Sequence, residues 1–185
     1  MVGDNPNPVL MVLYCLKKDI EMLTQEQLKE FLSYDPDTGI FTWLKAACNS
    51  VRVGSVAGCL DTYGYIRIKR ARKQYGAHRL AFLYMTGEFP VDQVDHINGV
   101  RNDNRWLNLR QATGSQNMSN QGKPITNTSG FKGVFWNKSA KKWLAQIGHM
   151  NRVIYLGLFT TPEAAHQAYI AAAEKFHGNF ANVGK

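Results

Sequence analysis

Cysteine is scarce in this chain. Cys15, Cys48 and Cys59 stand far apart, and no CxxC pair occurs. That spacing excludes a disulfide framework and gives no support to a cysteine zinc knuckle; a reducing, intracellular setting is expected. Long apolar runs are also missing. The stretch Val9 to Leu16 is too short to span a bilayer and lacks a basic leader or small-residue cleavage site, so neither a membrane anchor nor a signal peptide is expected. Acidic residues are in deficit, 14 Asp/Glu against 22 Lys/Arg, for a net charge of +8. The deficit is uneven: residues 121–185 hold 8 basic and 2 acidic side chains. Between Asp61 and Glu88 there is no acid, yet Arg67, Lys69, Arg70, Arg72, Lys73 and Arg79 fall there. Such a balance favours a polyanion partner over an ordinary solvated surface, although charge alone leaves both open. With 44% hydrophobic and 19% charged residues, the 185-residue chain has the makings of a folded core, in one compact domain or two small ones.

Turn and cap signals divide the chain. Asn5-Pro6-Asn7-Pro8 is turn-like and residues 1–21 read as an extension. Thr24 with Gln27 is a capping-box pair that opens a helix with Leu28, Phe31 and Leu32 on one face. YDPDTG is a turn and GIFTW a short strand. TYGYIRIKR alternates as a strand with Arg67 and Lys69 on a charged face, and HRLAFLYMTG turns helical and ends near Gly87. Residues 119–130 are polar and read as a linker. Beyond them, residues 130–159 offer three short strands with turns near Ser139 and Asn151. TTPEAAHQAYIAAAEKFHG then reads as a helix, with Thr160 and Glu163 as a capping box and an alanine face suited to close packing on a sheet. Phe131, Val134, Ile147, Tyr155, Leu158, Phe159, Ala168 and Tyr169 are the expected core of this last block.

The chemistry concentrates in DHINGVRNDNRWLNLRQATGSQN, residues 95–117. Phosphodiester hydrolysis needs an activated nucleophile and relief of charge on the phosphate and leaving oxygen. A neutral histidine can accept a proton near pH 7, and carboxylate and amide oxygens are hard donors suited to Mg²⁺. Asp95 and His96 supply these types at a strand end. NLRQAT reads as a returning strand, and Thr113 with Gln116 as a capping box that starts a helix bearing Asn117. An isolated Asp-His pair is more often a surface turn; the conjunction of several positions at this spacing is what carries weight.

The order HRL…DHxNG…DNRxxNLR…N resembles the HNH (His-Me finger) homing endonucleases of the phage and intron-encoded type. The resemblance implies His96 as general base, Asp95 and Asn117 as ligands of a single divalent metal, and Asn108 as the residue that hydrogen-bonds and orients His96. It implies one Mg²⁺ or Mn²⁺ per site, and the absence of paired cysteines means that no zinc is expected. Asn98, Asn102 and Asn104 read as turn formers. His78 matches the upstream HR, where a structural hydrogen bond is favoured over a phosphate contact. Arg79 and Arg110 are candidate phosphate contacts or ordinary ion-pair partners.

GFKGV, KKWLAQI, YLGLFTTPEAAHQAY and GNFAN resemble the plant ethylene-response-factor (AP-two type) DNA-binding domain. The resemblance implies a three-stranded sheet that enters the major groove with an alanine-rich helix behind it. Candidate DNA contacts are Lys132, Trp136, Lys138, Lys142, Trp143, Gln146 and Arg152, together with Arg67 and Lys69 upstream. Phe135 and Asn137 stand where the plant domains have arginine, so their base specificity does not carry over.

The reading is an α+β chain: a ββα-metal (His-Me finger) nuclease core over residues 22–120, a linker at 121–129, and a three-stranded antiparallel sheet packed on one α-helix over 130–185. The function expected from the resemblance is a metal-dependent endonuclease, of homing type, acting on double-stranded DNA, as monomer or homodimer and with no membrane partner. The alternatives are a DNA-binding regulator with an inactive nuclease core and a restriction or phage-exclusion nuclease.

Overall fold

A computed structural model describes residues 23–46 and 51–184. The extension at 1–21, with Cys15 and the apolar run, lies outside the described residues, as does Cys48. The fold is α+β.

Helix α1 (Gln25–Phe31) starts where the sequence signals it. Thr24 and Gln27 exchange both capping-box hydrogen bonds. Strand β1 (Leu32–Asp35) follows at once and pairs with β2 (Ile40–Trp43) across a turn in which the Asp35 carboxylate accepts from the amides of Asp37 and Thr38. Gly39 ends that turn at φ +74°, and a Cβ there would lie 2.4 Å from the backbone nitrogen of Arg105. Only glycine lets this turn touch the backbone of Asn104 and Arg105 so closely. The Tyr34 hydroxyl adds a 2.7 Å hydrogen bond to the carbonyl of Asn104. The first hairpin is thus a buttress for a loop some 70 residues later.

Strands β3 (Cys59–Leu60), β4 (Ile66–Arg70) and β5 (Lys73–Gly76) form a second small sheet. Ala71 and Arg72 both have positive φ, the signature of a tight hairpin turn whose twist matches its strands. Helix α2 (Ala77–Thr86) buries Ala77, Leu80, Ala81, Phe82 and Leu83 and stops at left-handed Gly87. Its buried face joins Leu28, Leu32, Phe41, Trp43, Ile68 and Val94 in one core. Each such large side chain contributes roughly 1.5–3 kcal/mol by leaving water.

Two short antiparallel strands, β6 (Gln93–His96) and β7 (Leu109–Ala112), come next, with Asp95 opposite Arg110 and His96 opposite Leu109. Helix α3 (Gly114–Asn120) starts immediately after β7, with both bonds of the Thr113–Gln116 capping box formed. Ser119 and Asn120, which read as linker in the sequence, belong to this helix, and Asn120 is buried.

Strands β8 (Val134–Asn137), β9 (Lys142–His149) and β10 (Arg152–Phe159) form a sheet of order β10-β9-β8. Helix α4 (Pro162–His177) contacts all three strands. Its cap is Thr161, with Pro162 in the first turn, one residue later than the Thr160–Glu163 box expected. Gly133 (φ +73°) sits so near the helix that a Cβ would fall 2.2 Å from the Tyr169 ring. Ala145, Ile147, Ala165 and Ala173 complete the contact. A bulge between Tyr155 and Gly157 turns Leu156 toward the helix. Tyr155 and Leu158, expected in the core, therefore pair with Gln146 and Leu144 on the outward face, where Tyr155 is 60% exposed. Among the described residues, no helix is long and apolar enough to cross a membrane.

Candidate active site

Strand β6 delivers Asp95 and His96 to the inner end of a cleft of about 390 Å³, and both are almost fully buried. Tyr65, Arg101, Asn117 and Lys123 share its walls. Arg101 and Lys123 were not among the sequence candidates; their contribution is positive charge beside the acid and the histidine.

The His96 ring is fixed on one side by Asn104, whose Oδ1 lies 3.2 Å from Nε2. The Asn104 amide is oriented with Nδ2 toward the carbonyl of Asn102. An amide oxygen can only accept, so Nε2 carries the ring proton and Nδ1 is the basic nitrogen. Burial pushes His96 below the ordinary histidine value, opposed by the Asn104 bond and by Asp95 and Asp103. The ring is therefore neutral at pH 7, the form a general base requires.

Asn108 does something other than orient that ring. Its Oδ1 accepts from the amide of Asn98 at 3.0 Å, and its Nδ2 donates to Asn98 Oδ1 and to the carbonyl of Asp103. The single-turn 3-10 helix at Trp106–Asn108 directs this side chain across the mouth of the loop, so it closes residues 98–108 into a rigid unit. Asn104, taken from sequence as a turn former, is the residue that meets His96.

Asp95 is held on both oxygens. Arg110 donates to Oδ2 through Nε (2.7 Å) and Nη2 (2.6 Å), and Asn120 Nδ2 donates to Oδ1 at 2.9 Å. The same Asn120 nitrogen lies 2.8 Å from the His96 carbonyl, so one buried amide ties helix α3 to both ends of the Asp-His pair. Asn120 escaped the sequence reading; its signal was its position three residues after Asn117, on the same helix face. Asn117 donates from Nδ2 to Gln93 Oε1 at 2.7 Å, which fixes the amide and leaves Oδ1 as the acceptor end in the cleft.

Among the described residues there is no cluster of three or more His, Cys, Asp or Glu side chains suited to a metal. One carboxylate and one amide oxygen in a single cleft do fit Mg²⁺, which keeps most of its shell for water and phosphate.

The cations expected on DNA divide into two kinds. Lys69, Lys138, Lys142 and Arg152 are exposed. The others have internal partners. Arg67 donates to Asp61 at 2.8 Å. Arg79 donates to the carbonyls of Asp92 and Pro90, which pins the loop ahead of β6. Arg110 holds Asp95, and also donates to the Asn179 carbonyl at 2.6 Å and stacks on Phe180. Lys132 donates to three carbonyls, those of Ser119, Gln121 and Asn182. On the sheet, Trp143 shares the helix side with the buried Ala145 and packs in that core, with Trp136 opposite it at 5.1 Å between ring centroids. Arg152 pairs with His149, whose ring lies on Phe176 of the helix, so by register it too belongs to that side. The outward face instead carries Phe135, Asn137, Lys142, Leu144, Gln146, Val153 and Tyr155.

His78 lies against Tyr65 and His96, with ring centroids 5.2 and 5.3 Å away. Its Nδ1 is buried with no hydrogen-bond partner, rather than in the structural hydrogen bond expected. Burial pushes its pKa down to about 3. Between pH 6.5 and about 3 the unfolded chain binds a proton here that the folded chain does not, so stability falls as pH drops through that window. The full effect is roughly 5 kcal/mol. His78→Leu should therefore flatten the decline of Tm between pH 7 and 4.5. Parallel Tm-against-pH curves for the two proteins would reject this cause.

Residues 75–119 match the family model for HNH endonuclease, and residues 129–179 match that for the AP2 domain. A curated relative, Protein 3.8 of Escherichia phage T7, is 40% identical over 50 residues, which is 27% of this chain. The match spans 41% of that relative's length.

Proposed function

Because the chain joins an HNH endonuclease domain to an AP2 domain, we propose that it is a metal-dependent endonuclease that hydrolyses phosphodiester bonds in double-stranded DNA. The observation that carries this reading is the cleft itself: a neutral, oriented histidine beside a buried carboxylate, an amide oxygen and the positive charge of Arg101 and Lys123. His96 Nδ1 takes a proton from water as the water oxygen bonds to phosphorus, and the P–O3′ bond breaks. The departing 3′ oxygen takes a proton from solvent water, so the products are a 5′-phosphate and a 3′-hydroxyl. Asp95 and Asn117 would hold a single Mg²⁺ or Mn²⁺, which would supply charge relief for the phosphate and the departing 3′ oxygen. Asn104 keeps the base in its active tautomer, Asn108 keeps the loop shut, and Arg101 with Lys123 attracts the phosphate. In this reading β6, β7 and α3 are the ββα-metal core.

The sheet β8–β10 supplies the reader. Its outward face enters the major groove, with Lys142 and Gln146 toward phosphates and base edges and Lys138 at the rim. Phe135, Val153 and Tyr155 offer apolar contact to thymine methyls, in place of arginine contact to guanine. Lys69 extends the positive surface on the nuclease side. One site cuts one strand, so a monomer nicks and a double-strand break needs two. A phage-encoded homing role, inside the host cell, fits the partial likeness to a phage protein.

The test is incubation of the full chain with supercoiled plasmid and Mg²⁺. Conversion to open circles, stopped by EDTA, is expected. Retained DNA binding with no nicking in any divalent metal would leave a DNA-binding regulator instead. Mapping the cut sites separates a homing enzyme, with a long degenerate target, from a restriction-type nuclease with a short strict one.

A further inference from the structure

Two cations that the sequence offers to DNA are spent inside the molecule, and both join the reader to the nuclease site. Helix α3 is only seven residues long, and helices of that length are marginal alone. Its C-terminal carbonyls need partners, and the following segment provides none of the usual glycine-cap geometry: Gln121 is extended at φ −62°, ψ 143°. The reader supplies the partners. Lys132 Nζ, just ahead of β8, lies 2.8 Å from the carbonyl of Ser119 and 2.5 Å from that of Gln121. Asn182 Nδ2, beyond α4, donates to the carbonyl between them, that of Asn120, at 2.7 Å. Lys132 also binds the carbonyl of Asn182, so the two caps brace each other. An ammonium at this end also complements the helix dipole.

Nearby, the Ser119 hydroxyl lies 3.2 Å from His177 Nδ1 at the end of α4. Arg110, whose guanidinium grips Asp95, rests on Phe180 and donates to the carbonyl of Asn179. The helix so capped is the one that carries Asn117 and Asn120, and Asn120 in turn holds Asp95 and His96.

We propose that the AP2 unit completes the nuclease site: Lys132 and Asn182 are positioning residues that cap α3 and so set Asn117 and Asn120 against Asp95, rather than DNA contacts. The reader is then part of the catalytic framework, not a tethered address. This rests on the nuclease reading only for its consequence in rate; the capping itself stands apart from it.

The experiment uses the full chain with Lys132→Met and, separately, Asn182→Ala. Single-turnover cleavage of plasmid is measured at saturating DNA, together with the salt dependence of binding and amide hydrogen exchange. Lys132→Met should lower the saturating rate at least tenfold, leave Kd within about twofold and leave the slope of log Kd against log salt unchanged. Exchange in residues 114–121 should rise at least tenfold, while residues 142–149 stay protected. A slope smaller by about one, with the saturating rate intact, would make Lys132 a phosphate contact and overturn the proposal. Should Lys132→Met not fold, Asn182→Ala decides: a threefold or greater rise in exchange at 114–121 supports the cap, and unchanged exchange overturns it. Because exchange needs no catalysis, a wild-type chain that fails to nick removes the nuclease reading without touching this one.

Discussion

His96→Ala is expected to reduce cleavage about 1,000-fold, within the range of a lost general base, while DNA affinity changes less than twofold. The ring is buried and flanked by Tyr65 and His78, so its removal leaves a ring-shaped space against Asn104 rather than an altered DNA surface. Added imidazole should therefore recover part of the rate in the variant and do nothing for wild type. The wild-type rate should fall only as pH drops below the ordinary histidine range, because burial holds His96 below 6.5. Cleavage by the alanine variant within tenfold of wild type would remove His96 as the base. The measurement is a single-turnover plasmid assay at saturating enzyme, so that a change in affinity cannot imitate a change in chemistry.

What the sequence made legible was local and repetitive in its physics. Thr24 with Gln27 and Thr113 with Gln116 are reciprocal hydrogen-bond pairs at fixed spacing, and both form. Gly87 ends a helix where an apolar period stops. The Asp95-His96 pair announced itself because two chemically apt residues at a strand end are conspicuous. What stayed hidden depended on partners distant in the chain. Asn104 looks like any turn asparagine until Tyr34 and Gly39 press its loop against the site. Asn120 lies in a polar run and reads as linker, because nothing local reveals that its amide is buried on Asp95, 25 residues earlier. Arg110 and Lys132 show their charge in the sequence but not their counterpart. A cation beside a predicted DNA surface and a cation capping a helix are the same letter. Strand alternation in β9 gives two faces without saying which one α4 will cover, and that choice puts Trp143 on the helix side.

Asp95→Asn should give the second large effect, and it tests whether the carboxylate serves the fold, the chemistry or both. The substitution keeps shape and removes charge. Arg110 would then have its guanidinium, largely buried, with neutral acceptors alone: an amide oxygen at residue 95, the Asn179 carbonyl and the Phe180 ring. Leaving one member of a buried ion pair alone costs about 3 kcal/mol, which corresponds to a loss of roughly 10 °C in Tm. Cleavage should drop at least 1,000-fold, since the proposed metal loses its single anionic ligand. Arg110→Met in the same chain separates the two roles. It removes the stranded cation, keeps an apolar contact for Phe180, and should restore most of the lost Tm while cleavage stays absent. Recovery of cleavage together with stability would mean that Asp95 is needed only as the counter-ion of Arg110. A single Asp95→Asn variant that melts like wild type and still cuts would dismiss both roles. The expected pattern, stability restored and activity not, follows from a carboxylate whose Oδ2 is committed to Arg110 and whose Oδ1, beside its bond from Asn120, keeps a lone pair for the proposed metal.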